Sequence, residues 1–203
     1  MRGKFGLPLA AWAAEVMERK LAAILAADIA DYGRLMGVDE EGIRNALRAH
    51  REVVDGLVAT HRGLVFGGAG DSMVAEFPGA VEAIHCAVEI QQEMDERNEP
   101  APPDRRLQFR VGLNIGDAMV AGGNLRGDGV DIALRVRELA EPGGICVARN
   151  VYIQARHNVS VTFESLGHHQ IGDVGDPVSI YRVLIGGTRR RPRILRWLQR
   201  VRR

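Results

Sequence analysis

The sequence predicts an α+β sandwich, a mainly antiparallel sheet covered by helices, with a βαββαβ core and further α/β elements towards its C-terminal end. Three observations lead there. Short apolar runs recur along the chain, as in LAAILAADIA and PVSIYRVL. Longer stretches with apolar residues at helical spacing separate them. In LVFGGAGDSMVAEF (64–77) two such runs are divided only by GGAGD, a turn signal that makes neighbouring strands antiparallel.

Taken in order, LAAILAADIA (21–30) is a buried strand that ends in an acid, delivering Asp28 to its C-terminal edge. DEEGIRNALRAHREVVDGLVATHRG (39–63) is a helix: Ile43, Leu47, Val54, Leu57 and Val58 mark one face, acids fill the first turn, and Gly63 is the stop. LVFGG and SMVAEF form a hairpin with Asp71 at its tip. PGAVEAIHCAVEIQQEMDERNEP (78–100) opens on Pro78 and runs as an amphipathic helix into a proline-rich loop. RRLQFRVGLNIGDAMVAGG (105–123) is expected as strand, bend at Gly116 and second strand; DGVDIALRVRELAEPGG (128–144) is a helix closed by Pro142 and Gly143. A short strand and helix come next in ICVARNVYIQARHN, and VTFESLGHH with PVSIYRVL close the sheet. The first six elements make a ferredoxin-like core.

The 203 residues suit one domain with appendages, and 46% hydrophobic content is enough to fill a core. A net charge of +1 conceals an asymmetry: residues 186–203 carry eight arginines and no acid, leaving the body at −7. The expected boundaries are a leader helix or start extension over 1–17, a domain over 18–185 and the basic tail over 186–203. MRGKFGLPLAAWAAEVMERK superficially resembles a secretory signal, but the reading preferred here is a leader helix or an early start ahead of Met17. No apolar run reaches the ~20 residues that span a bilayer. Cys86 and Cys146 lie in apolar segments without metal or disulfide spacing, and are expected as buried thiols in a reducing compartment. The tail has apolar residues near one helical face among its arginines; it is read first as a disordered, solvated end, with an anionic lipid surface or a link to a missing downstream domain as alternatives. Nucleic acid is disfavoured, because the body is acidic and no binding motif accompanies the tail.

Asp28 and Asp71 are 43 positions apart, yet both fall at strand ends that a hairpin can bring together. Either alone reads as a turn or helix cap. Two carboxylates meeting at a sheet edge repel unless a cation lies between them, and oxygen donors suit Mg²⁺ or Mn²⁺. GGNLRGDGVDIALR supplies glycines, amides and Arg135, a weak phosphate-binding signal by itself. His168 and His169 lack further ligands and read as an exposed polar turn.

RKLAAILAADIADYGRLM, FGGAGDSMVAEF, FRVGLNIGDAMVAGGNLRGDGVDIALRVRELAEPGGICV and FESLGHHQIGDVGDPVSIYRV, in this order over roughly 18 to 184, resemble the class III adenylate/guanylate cyclase catalytic domain. The resemblance implies that Asp28 and Asp71, with the Ile29 carbonyl, hold two Mg²⁺ or Mn²⁺ ions per site. It implies that ATP is closed to cyclic AMP with loss of pyrophosphate, and that Arg135 steadies the phosphate charge. It also implies a head-to-tail homodimer whose two sites lie between the chains, in a cytoplasmic protein or one held at a membrane surface by its tail. The family's adenine-reading lysine is replaced by Gly67 and its partner aspartate by Asn124, so GTP is a smaller branch beside ATP. The ribose-orienting asparagine is Asp131, the phosphate-contacting lysine is Gly172, and a small residue of the phosphate turn is Asp31. Each of these last three changes removes positive charge or adds negative charge near a polyanion. Arg126 and Arg137 are read as surface arginines, with compensating phosphate contacts as the alternative. No GGDEF-like signature points to a diguanylate cyclase. A second function is therefore carried alongside the cyclase: a degenerate cyclase-fold module that dimerises or binds nucleotide for regulation.

Overall fold

The run AAILAADI (22–29) is apolar on both faces of its pleat because both faces are covered. In the computed structural model, which describes residues 19–67, 70–171 and 176–186, it forms most of β1 (Arg19–Ile29). The rest of the order is α1 (Tyr32–Val38), α2 (Glu40–Thr60), β2 (Leu64–Phe66), β3 (Met73–Phe77), α3 (Ala80–Asn98), a 3₁₀ turn (Pro103–Arg105), β4 (Phe109–Ala121), β5 (Asn124–Arg126), α4 (Asp128–Glu138), β6 (Ile145–Ala148), α5 (Arg149–Ala155), β7 (Thr162–His169) and β8 (Val178–Leu184). The leader, Gly172 and the tail beyond Gly186 lie outside the described residues.

The strands form one sheet in the order β2-β3-β1-β4-β6-β8-β7, with β5 paired to β4, and only β4 and β6 run parallel. Ala23, Leu25, Ala27 and Ile29 face the larger core, shared with residues of α1, α2, α3 and α5. Ala22, Ile24 and Ala26 face the opposite side, where they meet Val130 and Ala133 of α4. Asp28 continues this second face by the period of two.

Helix limits reflect local chemistry. Asp39 caps α2 by accepting from the Gly42 amide at 2.9 Å, and Glu40 and Glu41 occupy its first turn. The expected stop at Gly63 is one residue late: Arg62 takes the left-handed conformation (φ 61°), and the Gly63 amide donates to the Val58 carbonyl at 2.8 Å. Gly63 is required by packing instead, since a Cβ there would lie 2.6 Å from the Phe77 ring. On α3, buried Gln91 donates to the carbonyls of Phe109 and Gly144, and Asn98 exchanges hydrogen bonds with the Leu107 backbone. These bonds fix the start of β4.

Three expected limits change. β4 runs unbroken through Gly116, where the sequence suggests a bend; the glycine serves helix approach, because a Cβ there would lie 2.6 Å from the Gly129 Cα. α4 stops at Glu138, ahead of Pro142 and Gly143. His168 and His169 end strand β7, paired with Ser179 and Val178, rather than forming a turn. Cys86 and Cys146 are free and buried as expected, and burial pushes their thiols up to about 12 and about 11.

His50, on α2, places Nδ1 2.6 Å from the Ala46 carbonyl and leaves Nε2 buried without a partner. Burial lowers its pKa below the usual 6.5, opposed by the Ala46 bond and Glu93 and reinforced by Arg97. The unfolded chain therefore takes up this proton first as pH falls. The stabilising contribution is complete above 6.5 and drains away as pH drops towards the lower native value. Melting temperatures measured between about pH 7.5 and 5 are expected to fall less steeply in His50→Gln than in the unmodified chain; equal slopes would exclude His50 as a cause.

Candidate active site at the C-terminal end of β1

β1 pairs with β4 in a register that sets Asp28 opposite Arg110. Facing cross-strand residues are close enough for a fork, and Arg110 makes one: Nε donates to Asp28 Oδ1 at 3.0 Å and Nη2 to Oδ2 at 2.7 Å. The Asp28 hydrogen bond is the chief reason that the Arg110 guanidinium is held above its ordinary pKa, with Glu138 and Asp31 adding smaller effects. Asp28 is buried, at 6% exposure. A second guanidinium reaches it from α4, with Arg137 Nε 3.3 Å from Asp28 Oδ2.

Asp71 joins the same corner, its Oδ2 accepting from the Ile29 amide at 3.3 Å. Gly70, at φ 65°, makes the turn before it. Arg51 of α2 steadies the turn from behind, donating to the Ser72 carbonyl and to Asp55. The hairpin tip and the end of β1 thus meet at the Ile29 backbone, as the two aspartates require. Asp31, two residues on, is exposed and left-handed (φ 54°) at the start of α1.

The other predicted residues form two groups. Gly67 and Asn124 come together: a Cβ on Gly67 would lie 2.8 Å from Asn124 Oδ1. Asp131 and Arg135 lie four apart on the exposed face of α4, and Arg135 pairs with Glu138 at 3.5 Å. Among the described residues neither bonds Asp28 or Asp71, although Glu138, the partner of Arg135, also comes within 4.0 Å of Arg137, which lies beside Asp28. Arg126 is exposed, as expected.

Arg137 departs from the surface reading, because its side chain is only 12% exposed and lies beside Asp28. Helical spacing carries the signal: Arg137 falls four residues after Ala133 and seven after Val130, on the stripe that α4 buries. Sequence reasoning misses Arg110, although an arginine two residues before Gly112 inside an apolar strand is an anomaly of the same sort.

Among the described residues, no group of three or more His, Cys, Asp or Glu is placed to hold a metal ion. The donors at this corner nevertheless suit Mg²⁺ or Mn²⁺, which accept one or two carboxylates together with water and phosphate oxygens. Each Asp28 oxygen keeps a lone pair after bonding Arg110, and Asp71 uses only Oδ2.

No protein-family model matches the chain. Over 170 residues it is 41% identical to a Rhizobium meliloti (strain 1021) protein named "Putative adenylate cyclase 3", a match that covers 83% of this chain and 29% of that protein's length. A crystal structure of an adenylate/guanylate cyclase/hydrolase from Silicibacter pomeroyi superimposes with a TM-score of 0.77 at 38% identity, covering 83% of this chain and 98% of that one. The adenylyl cyclase CyaB from P. aeruginosa shares the fold at a TM-score of 0.72 and 19% identity, over 86% of this chain and 97% of its own. The α+β architecture expected from the sequence is the architecture of both solved structures.

Proposed function

The chain belongs to the class III adenylate/guanylate cyclase family, and from that premise we propose that it closes ATP to cyclic AMP and pyrophosphate at sites shared by two head-to-tail copies. The observation that carries this reading is the meeting of Asp28 and Asp71 at the Ile29 backbone, with Gly67 and Asn124 together in the same chain. Asp28, Asp71 and the Ile29 carbonyl would hold two Mg²⁺ or Mn²⁺ ions, which when bound supply Lewis acidity and charge neutralisation to an in-line displacement. In that displacement the ribose 3′-oxygen loses its proton and bonds to the α-phosphorus, while the bond from that phosphorus to the pyrophosphate oxygen breaks.

Arg135, exposed on α4 and ion-paired with Glu138, would turn its guanidinium to the phosphates of a site completed by a second copy. Asp131, on the same face, would accept from a ribose hydroxyl. Asn124 both donates and accepts, and the missing side chain at Gly67 leaves the base edge to it, so GTP is retained as a second substrate to be tried.

One observation favours the other reading, a dimerising or nucleotide-binding module without turnover: Asp28 is already paired with Arg110 and approached by Arg137. The deciding experiment supplies Mn²⁺ with ATP or GTP to the purified chain and measures cyclic nucleotide, with Asp28→Ala and Asp71→Ala as controls. Product that falls by about 10³-fold or more in both controls is expected. A folded dimer that makes no product from either nucleotide overturns the cyclase in favour of the module. Among the described residues no helix is long and apolar enough to cross a membrane.

A further inference from the structure

Asp28 needs one guanidinium to balance its charge and has two. Arg110 supplies both hydrogen bonds of a fork. Arg137 adds a second cation that bonds poorly: its Nε is 3.3 Å from Asp28 Oδ2, yet it is buried without a hydrogen-bond partner, and its Nη2 is 4.0 Å from Glu138 Oε1. A buried N–H left without a partner is costly, and such groups call for an explanation. Packing cannot easily relieve it, because the Arg137 backbone is pressed onto β4 at Gly112.

The surplus has an electrostatic consequence. The two guanidiniums of Arg110 and Arg137 offset the two ligand charges of Asp28 and Asp71, with Glu138 and Asp31 acting more weakly from further out. A divalent cation arriving alone meets ligands whose charge is offset, with a second guanidinium beside the first of them, and like charges in a partly buried site repel far more than in water. A triphosphate reverses this, since its own negative charges pair with cation and guanidinium alike.

We infer that Arg137 is a positioning residue that sets the metal affinity of the site: it keeps cation binding weak in the nucleotide-free chain and makes cation and nucleotide bind with positive coupling. The inference rests on Asp28 and Asp71 being the cation ligands, and it adds to that reading a residue of this chain that weakens one ligand until nucleotide arrives. Coupling between two ligands is reciprocal, so the same residue would make nucleotide affinity depend on the cation.

The test is direct Mn²⁺ binding, followed by the electron paramagnetic resonance signal of free Mn²⁺, with and without a non-hydrolysable ATP analogue. The chains compared are unmodified, Arg137→Gln, Arg137→Met, which keeps an aliphatic stem for packing, and Arg137→Lys, which keeps the charge. Without nucleotide, Gln and Met are expected to tighten Mn²⁺ binding about tenfold and to shrink its coupling to the analogue, while Lys stays near the unmodified value. All of this binding should vanish when Asp71→Ala is added. Mn²⁺ binding that depends on Asp71 but is unchanged or weakened in both Gln and Met overturns the role of Arg137 and leaves the metal site standing. Binding indifferent to Asp71→Ala in every chain overturns the metal site, and the inference with it.

Discussion

Mixed in equal amounts, Asp71→Ala and Arg135→Ala chains that are each inactive alone are expected to recover about a quarter of the unmodified rate. The reason is the proposed sharing of each site between two copies. Asp71 sits at the carboxylate corner, bonded to the Ile29 amide, whereas Arg135 stands on the exposed face of α4 with Glu138 as its ion-pair partner. If a site takes its carboxylates from one copy and its arginine from the other, a mixed dimer has one doubly damaged site and one intact site. Random pairing makes half of all dimers mixed, and half of their sites work. Each single substitution should by itself cost about 10²-fold or more. No recovery on mixing, with exchange of chains verified, would place the arginine and the carboxylates in the same copy's site or remove Arg135 from catalysis.

Among the described glycines, Gly112→Ala is expected to be the most destabilising substitution. A Cβ there would lie 2.2 Å from the Arg137 amide nitrogen, 2.5 Å from the Ala133 carbonyl oxygen and 2.6 Å from the Arg137 Cα. All three are backbone atoms, so no side-chain rotation gives relief, and α4 must lift from β4. The cost should reach at least about 3 kcal/mol, which lowers the melting temperature by roughly 6–12 °C. Lifting α4 would also draw Arg137 from Asp28 and loosen the Asn114 bond to the Gly129 carbonyl. Gly56→Ala is the control: it lies within α2 with nothing within 4 Å of its added methyl and is expected to stabilise by about 0.5–1 kcal/mol. Equal melting temperatures for Gly112→Ala and the unmodified chain would refute the close docking of α4.

Most of the elements and the two aspartates were legible in the residues themselves, though not the short helix α1 or strand β5, because strand runs, helical spacing, caps and a hairpin turn are local properties of a few consecutive side chains. LAAILAADIA could be read as a buried strand ending at Asp28, and GGAGD as a turn that presents Asp71. The ordered motifs added the family, and with it Gly67, Asn124, Asp131 and Arg135. What those residues could not reveal is pairing over distance. Arg110 forks onto Asp28 across 82 positions of sequence, a relation set by the register of β1 on β4. Arg137 reaches the same carboxylate only because glycines at 112, 116 and 129 let α4 settle onto the sheet. Gly116 read as a bend for the same reason: a glycine kept for its φ freedom and one kept because another backbone comes within touching distance are the same letter. Local chemistry determined which groups this protein carries to the edge of its sheet. The charge that surrounds Asp28 was decided by tertiary packing, since Coulomb and hydrogen-bond energies depend on separations that no short stretch of chain specifies.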